Sequence, residues 1–233
     1  MIKRPHELVS HLCTEISTRT DVAILGLSGG ADSTLVALLC KEALGPKNVY
    51  GVSMPYGPYD KEVFNSRSEK LAKLLDINHF VVSIETITNA ICLSISSAMP
   101  ERVFPLDNGN ARARARMTIL YGLSGVLGHT FSKRVRVIGT GNLSEDYIGY
   151  DTKGGDALAD FFPIGQLFKS EVYQLLDFYK ACQCITEEFI DRVPSAGLWE
   201  GQTDEGELGE SYNNMEPAIR FLMDLDTRKP KDW

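Results

Sequence analysis

The amino-acid sequence predicts an α/β fold, a doubly wound parallel sheet with helices on both faces. Two observations carry this expectation. Short apolar runs alternate with longer stretches of helical periodicity from Val22 as far as Gly139, and the first run ends in the glycine turn Ser28-Gly29-Gly30 before a helix begins. Parallel neighbours need a crossover long enough to contain a helix, so a chain that repeats strand and helix in this way covers its sheet from both sides. Ligands of such sheets bind beyond the carboxyl ends of the strands.

In chain order, Pro5 to Thr18 sets Leu8, Val9, Leu12 and Ile16 at helical spacing and reads as an amphipathic helix. Val22 to Leu27 is a short buried strand, and Ser33 to Leu44 is its helix. The alternation recurs with a strand at Val49 to Met54, a helix at Lys61 to Leu75, a strand at Phe80 to Ile84 and a helix at Thr86 to Ala98. A longer helix, Asn110 to Gly128, leads to a buried strand at Val135 to Gly139. Gly141 to Gly165 is polar, glycine-rich and longer than a connection needs to be, which marks a functional loop with Gly154-Gly155 as its hinge. Helices resume at Phe168 to Tyr179 and Met215 to Leu225, and Lys229 to Trp233 is a short flexible end. A length of 233 residues without internal repeats suits one domain.

Composition narrows the function. Hydrophobic residues at 43% and charged residues at 24% are the proportions of a soluble globular protein. No run approaches the roughly 18 to 20 apolar residues that cross a bilayer, and Met1 to Leu12 is too polar for a secretory signal, so a cytoplasmic protein without a membrane partner is expected. The five cysteines are odd in number and read as reduced thiols; Cys182 and Cys184 lack a second Cys or His pair to complete a zinc site. A net charge of −7 repels a phosphate backbone, which disfavours nucleic acid and requires any nucleotide to be held in a local pocket.

Leu27-Ser28-Gly29-Gly30-Ala31-Asp32-Ser33 lies directly between the first strand and its helix. Glycines let backbone amides approach an anion, the helix start adds positive potential, and Ser28 and Ser33 offer hydroxyl donors, so the segment reads as a phosphate cradle. It is neither G-x-x-x-x-G-K-[ST] nor G-x-G-x-x-G. With no lysine after Gly30, Mg2+ between Asp32 and a triphosphate is the economical source of positive charge. The plainer alternative is a helix-capping aspartate.

This segment resembles S-G-G-x-D-S, the signature of the ATP pyrophosphatases, whose Rossmann-like fold is a doubly wound parallel sheet and which transfer AMP to an oxygen and release pyrophosphate. The resemblance implies ATP as co-substrate, held by Gly26, Leu27, Ser28, Gly29, Gly30, Ala31, Asp32 and Ser33, with Asp32 on Mg2+. NAD, GMP and asparagine synthetases and tRNA-thiolating enzymes share the motif, so the loop alone does not choose among them.

Further segments resemble the NAD synthetase family. On residue pattern alone, Arg112, Arg114 and Arg116 form a basic helix with at least one arginine aimed inward. Gly109 to Tyr121 is similar to G-N-x-x-A-R-x-R-M-x-x-x-Y, which assigns Arg114 to deamido-NAD. Gly139-Thr140 and Glu145 are similar to G-T-x-x-x-x-E, implying Thr140 on ATP and Glu145 as the second Mg2+ carboxylate. Thr152 to Pro163 resembles T-K-x-G-D-G-G-A-D-x-x-P, with a lysine following on the next helix. This implies Lys153 and Asp160 on deamido-NAD and Lys169 on the ATP phosphates, and Ala157-Leu158 departs from the usual Gly-Gly. Pro194 to Gly209 resembles P-[ST]-A-x-L-x-x-x-Q-x-D-E-x-E-L-G, with Ser195 on ATP; Asp204, Glu205 and Glu207 read as an acidic helix start. The family's closing His-Lys pair has no histidine here, which leaves Lys229 to supply the cation on deamido-NAD.

The resemblance, from Gly26 to about Tyr212, implies a homodimer that activates the carboxylate of deamido-NAD as an adenylate and amidates it. Asp32 and Lys169 are expected to act on the phosphates, and Asp160, from its place in the substrate segment, to accept a proton from the attacking amine. No glutaminase segment precedes the ATP loop, so free ammonia is the expected donor. The competing readings are a tRNA-modifying pyrophosphatase, which would need a basic surface and C-x-x-C pairs, and a nucleotide-binding regulator without turnover.

Overall fold

The computed structural model describes residues 2–99, 105–191 and 203–225. Among the described residues four strands, β1 (Val22–Gly26), β2 (Val49–Ser53), β3 (Asn78–Val81) and β4 (Val135–Val137), form one sheet in the order β3-β2-β1-β4. Every pairing is parallel, with Ile24 opposite Tyr50 on one side and Val137 on the other. The chain winds outward through β2 and β3, then crosses back to place β4 on the free side of β1. The winding therefore reverses between β1 and β4, and a crevice opens at their carboxyl ends.

Side chains alternate across β1 with the strand period of two. Ala23 and Leu25 point into a core shared with α1 (Pro5–Arg19), α2 (Ala31–Leu44), α3 (Gly57–Leu75) and α7 (Lys169–Ala181). Val22 and Ile24 point to the other side, where Ala115 and Leu127 of α5 (Pro105–Phe131) and Ile84, just before α4 (Glu85–Ala98), cover them. Leu25, Leu35, Leu39 and Leu175 are fully buried in the first core. At roughly 1.5–3 kcal/mol for each large apolar side chain, these layers fix the ends of β1 and β4 against the helices. Among the described residues no helix is long and apolar enough to cross a membrane.

Several boundaries differ from the sequence expectation. Helices α3 and α5 begin earlier, at Gly57 and Pro105, because a proline at the first helical positions gives up no hydrogen bond there. Strand β3 begins at Asn78, paired with Tyr50, where Phe80 was expected. Strand β4 ends at Val137; Ile138 still donates to Ile24 O at 2.8 Å, but the loop then returns, and Gly139 donates to Phe161 O at 2.9 Å. Within the stretch expected to be loop lies α6 (Leu143–Ile148), capped by Asn142, whose side chain accepts from the Glu145 amide at 3.1 Å. The carboxyl-terminal part adds α8 (Asp204–Leu208) and α9 (Tyr212–Leu225), the latter starting three residues before the expected Met215.

Candidate active site

The crevice at the reversal point is a cleft of about 900 Å³. Its floor is the turn after β1. Gly29 has φ +71°, a left-handed conformation that favours glycine, and a Cβ there would stand 3.0 Å from Cγ of Arg67. Ser28 Oγ accepts from the Gly30 amide at 3.2 Å and lies 3.0 Å from Ser33 Oγ, while Ser33 Oγ donates to Gly30 O at 3.1 Å. These bonds hold the turn in shape and leave the first amides of α2 at the cleft, where a helix start favours an anion.

Three charged side chains from three elements meet beside this turn. Lys169, the first residue of α7, is 3% exposed. Its Nζ donates to Asp32 Oδ2 at 2.6 Å and to Glu145 Oε1 at 2.9 Å. Asn142 Nδ2 donates to the other Asp32 oxygen at 3.0 Å, so one residue caps α6 and orients the α2 carboxylate. Burial alone would depress the Lys169 ammonium, but the charges of Asp32 and Glu145 outweigh it and hold its pKa well above the ordinary value. Burial, followed by the charge of Asp32, pushes the Glu145 carboxyl up. Among the described residues, two carboxyl groups thus share the Lys169 ammonium.

The second wall comes from α5 and the loop after α6. Gly155 packs against this helix so closely that a Cβ would stand 2.9 Å from that of Ala113. Thr152 Oγ1 donates to Asn110 at 2.8 Å, and the Thr152 amide donates to Asp156 at 2.7 Å, which fixes the loop on the helix. Of the three arginines, Arg116 lines the cleft and donates to Met54 O at 3.2 Å. Arg112 stacks 3.6 Å over the Tyr56 ring, and exposed Arg114 donates to Lys153 O at 3.2 Å on the outer rim.

The structure therefore brings Gly26, Leu27, Ser28, Gly30, Ala31, Asp32, Ser33, Thr140, Glu145 and Lys169 to one cleft; Arg114 and Lys153 do not line it but follow the lining residues Ala113 and Thr152, and Arg114 meets Lys153 only through its backbone carbonyl. The structure does not bring Asp160 to that cleft. The Asp160 carboxylate accepts from the Val137 amide at 2.7 Å and faces Arg136 at 3.9 Å, on the far edge of β4. Ser195 and Lys229 lie outside the described residues.

Other residues of the site were not foreseen. Asn142 was legible in principle, since an Asn three residues before a Glu is a helix-start pattern. Asp204, read from sequence as an acidic helix start, is 3% exposed, lines the cleft and accepts from the Tyr212 hydroxyl at 3.1 Å. Burial, then the charges of Glu145 and Asp204, raise the Tyr212 pKa, which keeps that hydroxyl a donor. Tyr150 donates to Glu207 and ties α8 to the loop.

Comparison with known proteins places this geometry. The family model for NAD synthase matches residues 6–232. The NH(3)-dependent NAD(+) synthetase of Methanococcus aeolicus is 40% identical over 213 residues, 90% of this chain and 76% of that protein. Among solved structures, the NMN synthetase of Francisella tularensis aligns with a TM-score of 0.78 at 31% identity, covering 93% of this chain and 86% of that one. The NH3-dependent NAD synthetase of Campylobacter jejuni, in complex with the nitrate ion, aligns with a TM-score of 0.66 at 30% identity, covering 93% and 87%. With the family's pattern running nearly end to end and its fold reproduced around the cleft, the chain belongs to the NAD synthase family.

Proposed function

We propose that this chain makes NAD from deamido-NAD, ATP and ammonia, releasing AMP and pyrophosphate. The observation that carries the reading is the Lys169 ammonium held 2.6 Å and 2.9 Å from the Asp32 and Glu145 carboxylates, beside a glycine turn at the reversal of the sheet. A carboxylate resists attack by ammonia because it is negatively charged and oxide is a poor leaving group. Transfer of AMP removes both obstacles. The deamido-NAD carboxylate attacks the α-phosphorus of ATP, pyrophosphate departs, and ammonia then displaces AMP at the acyl carbon.

Lys169 and the α2 amides stabilise charge on the departing pyrophosphate, and the walls of the cleft hold the two reactants in line. Arg114 and Lys153 present cations at the rim for the phosphates of the acceptor. Asp32 and Glu145 suit Mg2+: they are hard oxygen donors converging on one point, and that ion is usually held by one or two carboxylates together with substrate phosphates. When bound, it neutralises the triphosphate; MgATP would also give Lys169 an alternative partner. The plan is of one catalytic domain, in a homodimer. The exposed apolar side chains Leu93 and Ile95 on α4 and Val126 on α5 support the dimer. The free thiols Cys13, Cys40, Cys92, Cys182 and Cys184 agree with a cytoplasmic setting.

A second reading concerns the acceptor. The Francisella tularensis protein aligned above is an NMN synthetase, which points to the mononucleotide acid, nicotinate mononucleotide, as a substrate with the same reacting carboxylate. One experiment separates these readings. The protein is given ATP, Mg2+ and either ammonium or glutamine with each acceptor in turn, and Asp32→Ala serves as control. NAD formation from deamido-NAD and ammonium, matched by AMP and lost in the control, is the expected result. Preferential formation of nicotinamide mononucleotide moves the assignment to the smaller acceptor, and ATP binding without AMP under any condition points to a nucleotide-binding regulator.

A further inference from the structure

The site is gripped from behind by α9, whose side chains Tyr212, Glu216 and Arg220 stand one turn apart along one face. All three reach the first turn of α7. Tyr212 places its ring centroid 5.4 Å from Lys169 Nζ. Arg220 lies 3.7 Å over the Phe168 ring and donates to Glu171 Oε1 at 3.1 Å.

Glu216 is the centre of the grip. It is a 4% exposed carboxylate, and Oε1 accepts from Ser144 Oγ at 2.9 Å and from the Ser170 amide at 3.0 Å, while Oε2 accepts from Ser170 Oγ. Ser144 Oγ in turn accepts from the Lys169 amide at 3.0 Å. Two amides of α7 that have no helical partner are thus satisfied through one carboxylate, directly at Ser170 and by relay at Lys169. The relay residue adjoins Glu145 in sequence, so the same hydrogen bonds join the starts of α6 and α7.

A lysine at a helix start faces the positive end of the helix dipole, which disfavours it. The Glu216 and Glu171 carboxylates at that end offset the penalty. We propose that Glu216 is a positioning residue for the reaction, acting through Ser144 and the Ser170 amide to set the start of α7 and so hold Lys169 Nζ where the triphosphate meets Asp32 and Glu145. The inference rests on the reading of Lys169 as a phosphate ligand.

The test compares binding of MgATP and of AMP, by calorimetry, to the full-length chain and its variants. Glu216→Ala is expected to weaken MgATP roughly tenfold while AMP, which lacks the outer phosphates, stays within about twofold. Glu216→Gln retains an acceptor at Oε1 and is expected to stay within about threefold of the parent for both ligands. A Glu216→Ala protein that binds MgATP like the parent, or loses MgATP and AMP in parallel, overturns the proposal, as does a Gln variant as impaired as Ala. If Glu216→Ala does not fold, Ser144→Ala breaks the relay while leaving the Ser170 bonds; it is expected to show the same split at about threefold, and no split overturns the proposal. Lys169→Ala is measured alongside. Absence of the split there sinks the reading of Lys169 itself, whereas its presence there and absence in the Glu216 and Ser144 variants sinks only the role of Glu216.

Discussion

Replacing Lys169 with methionine keeps most of the side-chain volume and removes the ammonium shared by Asp32 and Glu145. Each of the two lost bonds, at 2.6 Å and 2.9 Å, is charge-assisted, and such bonds contribute about 1.5–3 kcal/mol apiece. The sum is not lost in full, because the two carboxylate side chains are 18% and 19% exposed and regain some hydration. Their mutual repulsion acts in the opposite direction. The net cost is therefore about 2–4 kcal/mol, somewhat below the range for breaking a fully buried pair. At about 2–4 °C per kcal/mol for a chain of this size, the melting temperature falls by roughly 4–16 °C. The variant also gains something: two carboxylates with no ammonium between them attract a divalent cation without nucleotide. A ligand at a hundred times its Kd adds about 2.7 kcal/mol, so Mg2+ alone is expected to restore much of the loss in Lys169→Met and to change the parent little. Calorimetric melting with and without Mg2+, in the absence of ATP, reads both effects. A variant that melts with the parent, or equal stabilisation of both proteins by Mg2+, would refute the account of Lys169 as the counter-ion of this pair.

Three further outcomes follow from single contacts. Gly139→Ala puts a Cβ 2.2 Å from the Phe162 ring and is expected to cost about 1–3 kcal/mol in urea unfolding, with partial recovery in the Gly139→Ala, Phe162→Leu double variant; simple additivity of the two changes would remove the steric explanation. Hydrogen bonds from the Arg134 side chain and backbone lower the Asp21 carboxyl from 3.8 to about 2. The folded value lies below the unfolded one, so this stabilisation is complete above 3.8 and is lost as pH falls toward 2; Asp21→Asn should flatten the fall in unfolding midpoint across that window, and an unchanged slope would count against it. Arg114→Ala is expected to raise KM for the nicotinate acceptor by roughly tenfold with KM for ATP unmoved, because Arg114 stands with Lys153 on the rim and away from the phosphate turn. A change in KM for ATP instead would place it on the other substrate.

Much of the fold was legible because its signals are local. The strand, glycine turn and helix around Ser28-Gly29-Gly30 are set by residues adjacent in sequence, and the observed β1 and α2 fall where that reading put them. Asp32 was legible in that same turn, whereas Glu145 and Lys169 were reached through the family resemblance; all three sit at or near helix starts, and their arrival in one cleft follows from where the sheet reverses. Orientation was less legible. The two-residue spacing of the arginines required at least one to face inward on α5, yet it did not say that Arg116 takes that place while Arg114 stays at the rim, because the choice depends on where Gly155 meets Ala113. Glu216 left no signal at all. In sequence it is one acid on an amphipathic helix, and only the packing of α9 against α6 and α7 distinguishes it from a solvated glutamate.

The contrast between Lys169 and Glu216 separates two kinds of charge in this site. The Lys169 ammonium bridges Asp32 and Glu145, and its hydrogen bonds are made to groups that MgATP would also engage, so they are exchangeable. The Glu216 carboxylate bonds to Ser144, the Ser170 amide and the Ser170 hydroxyl, which do not line the cleft, so its bonds can persist through turnover. A site that must trade partners at one end of a lysine side chain needs a fixed backbone at the other. The flexible stem between Nζ and the backbone then allows the charge to move while α7 stays in place, and α9 supplies the restraint from outside the cleft.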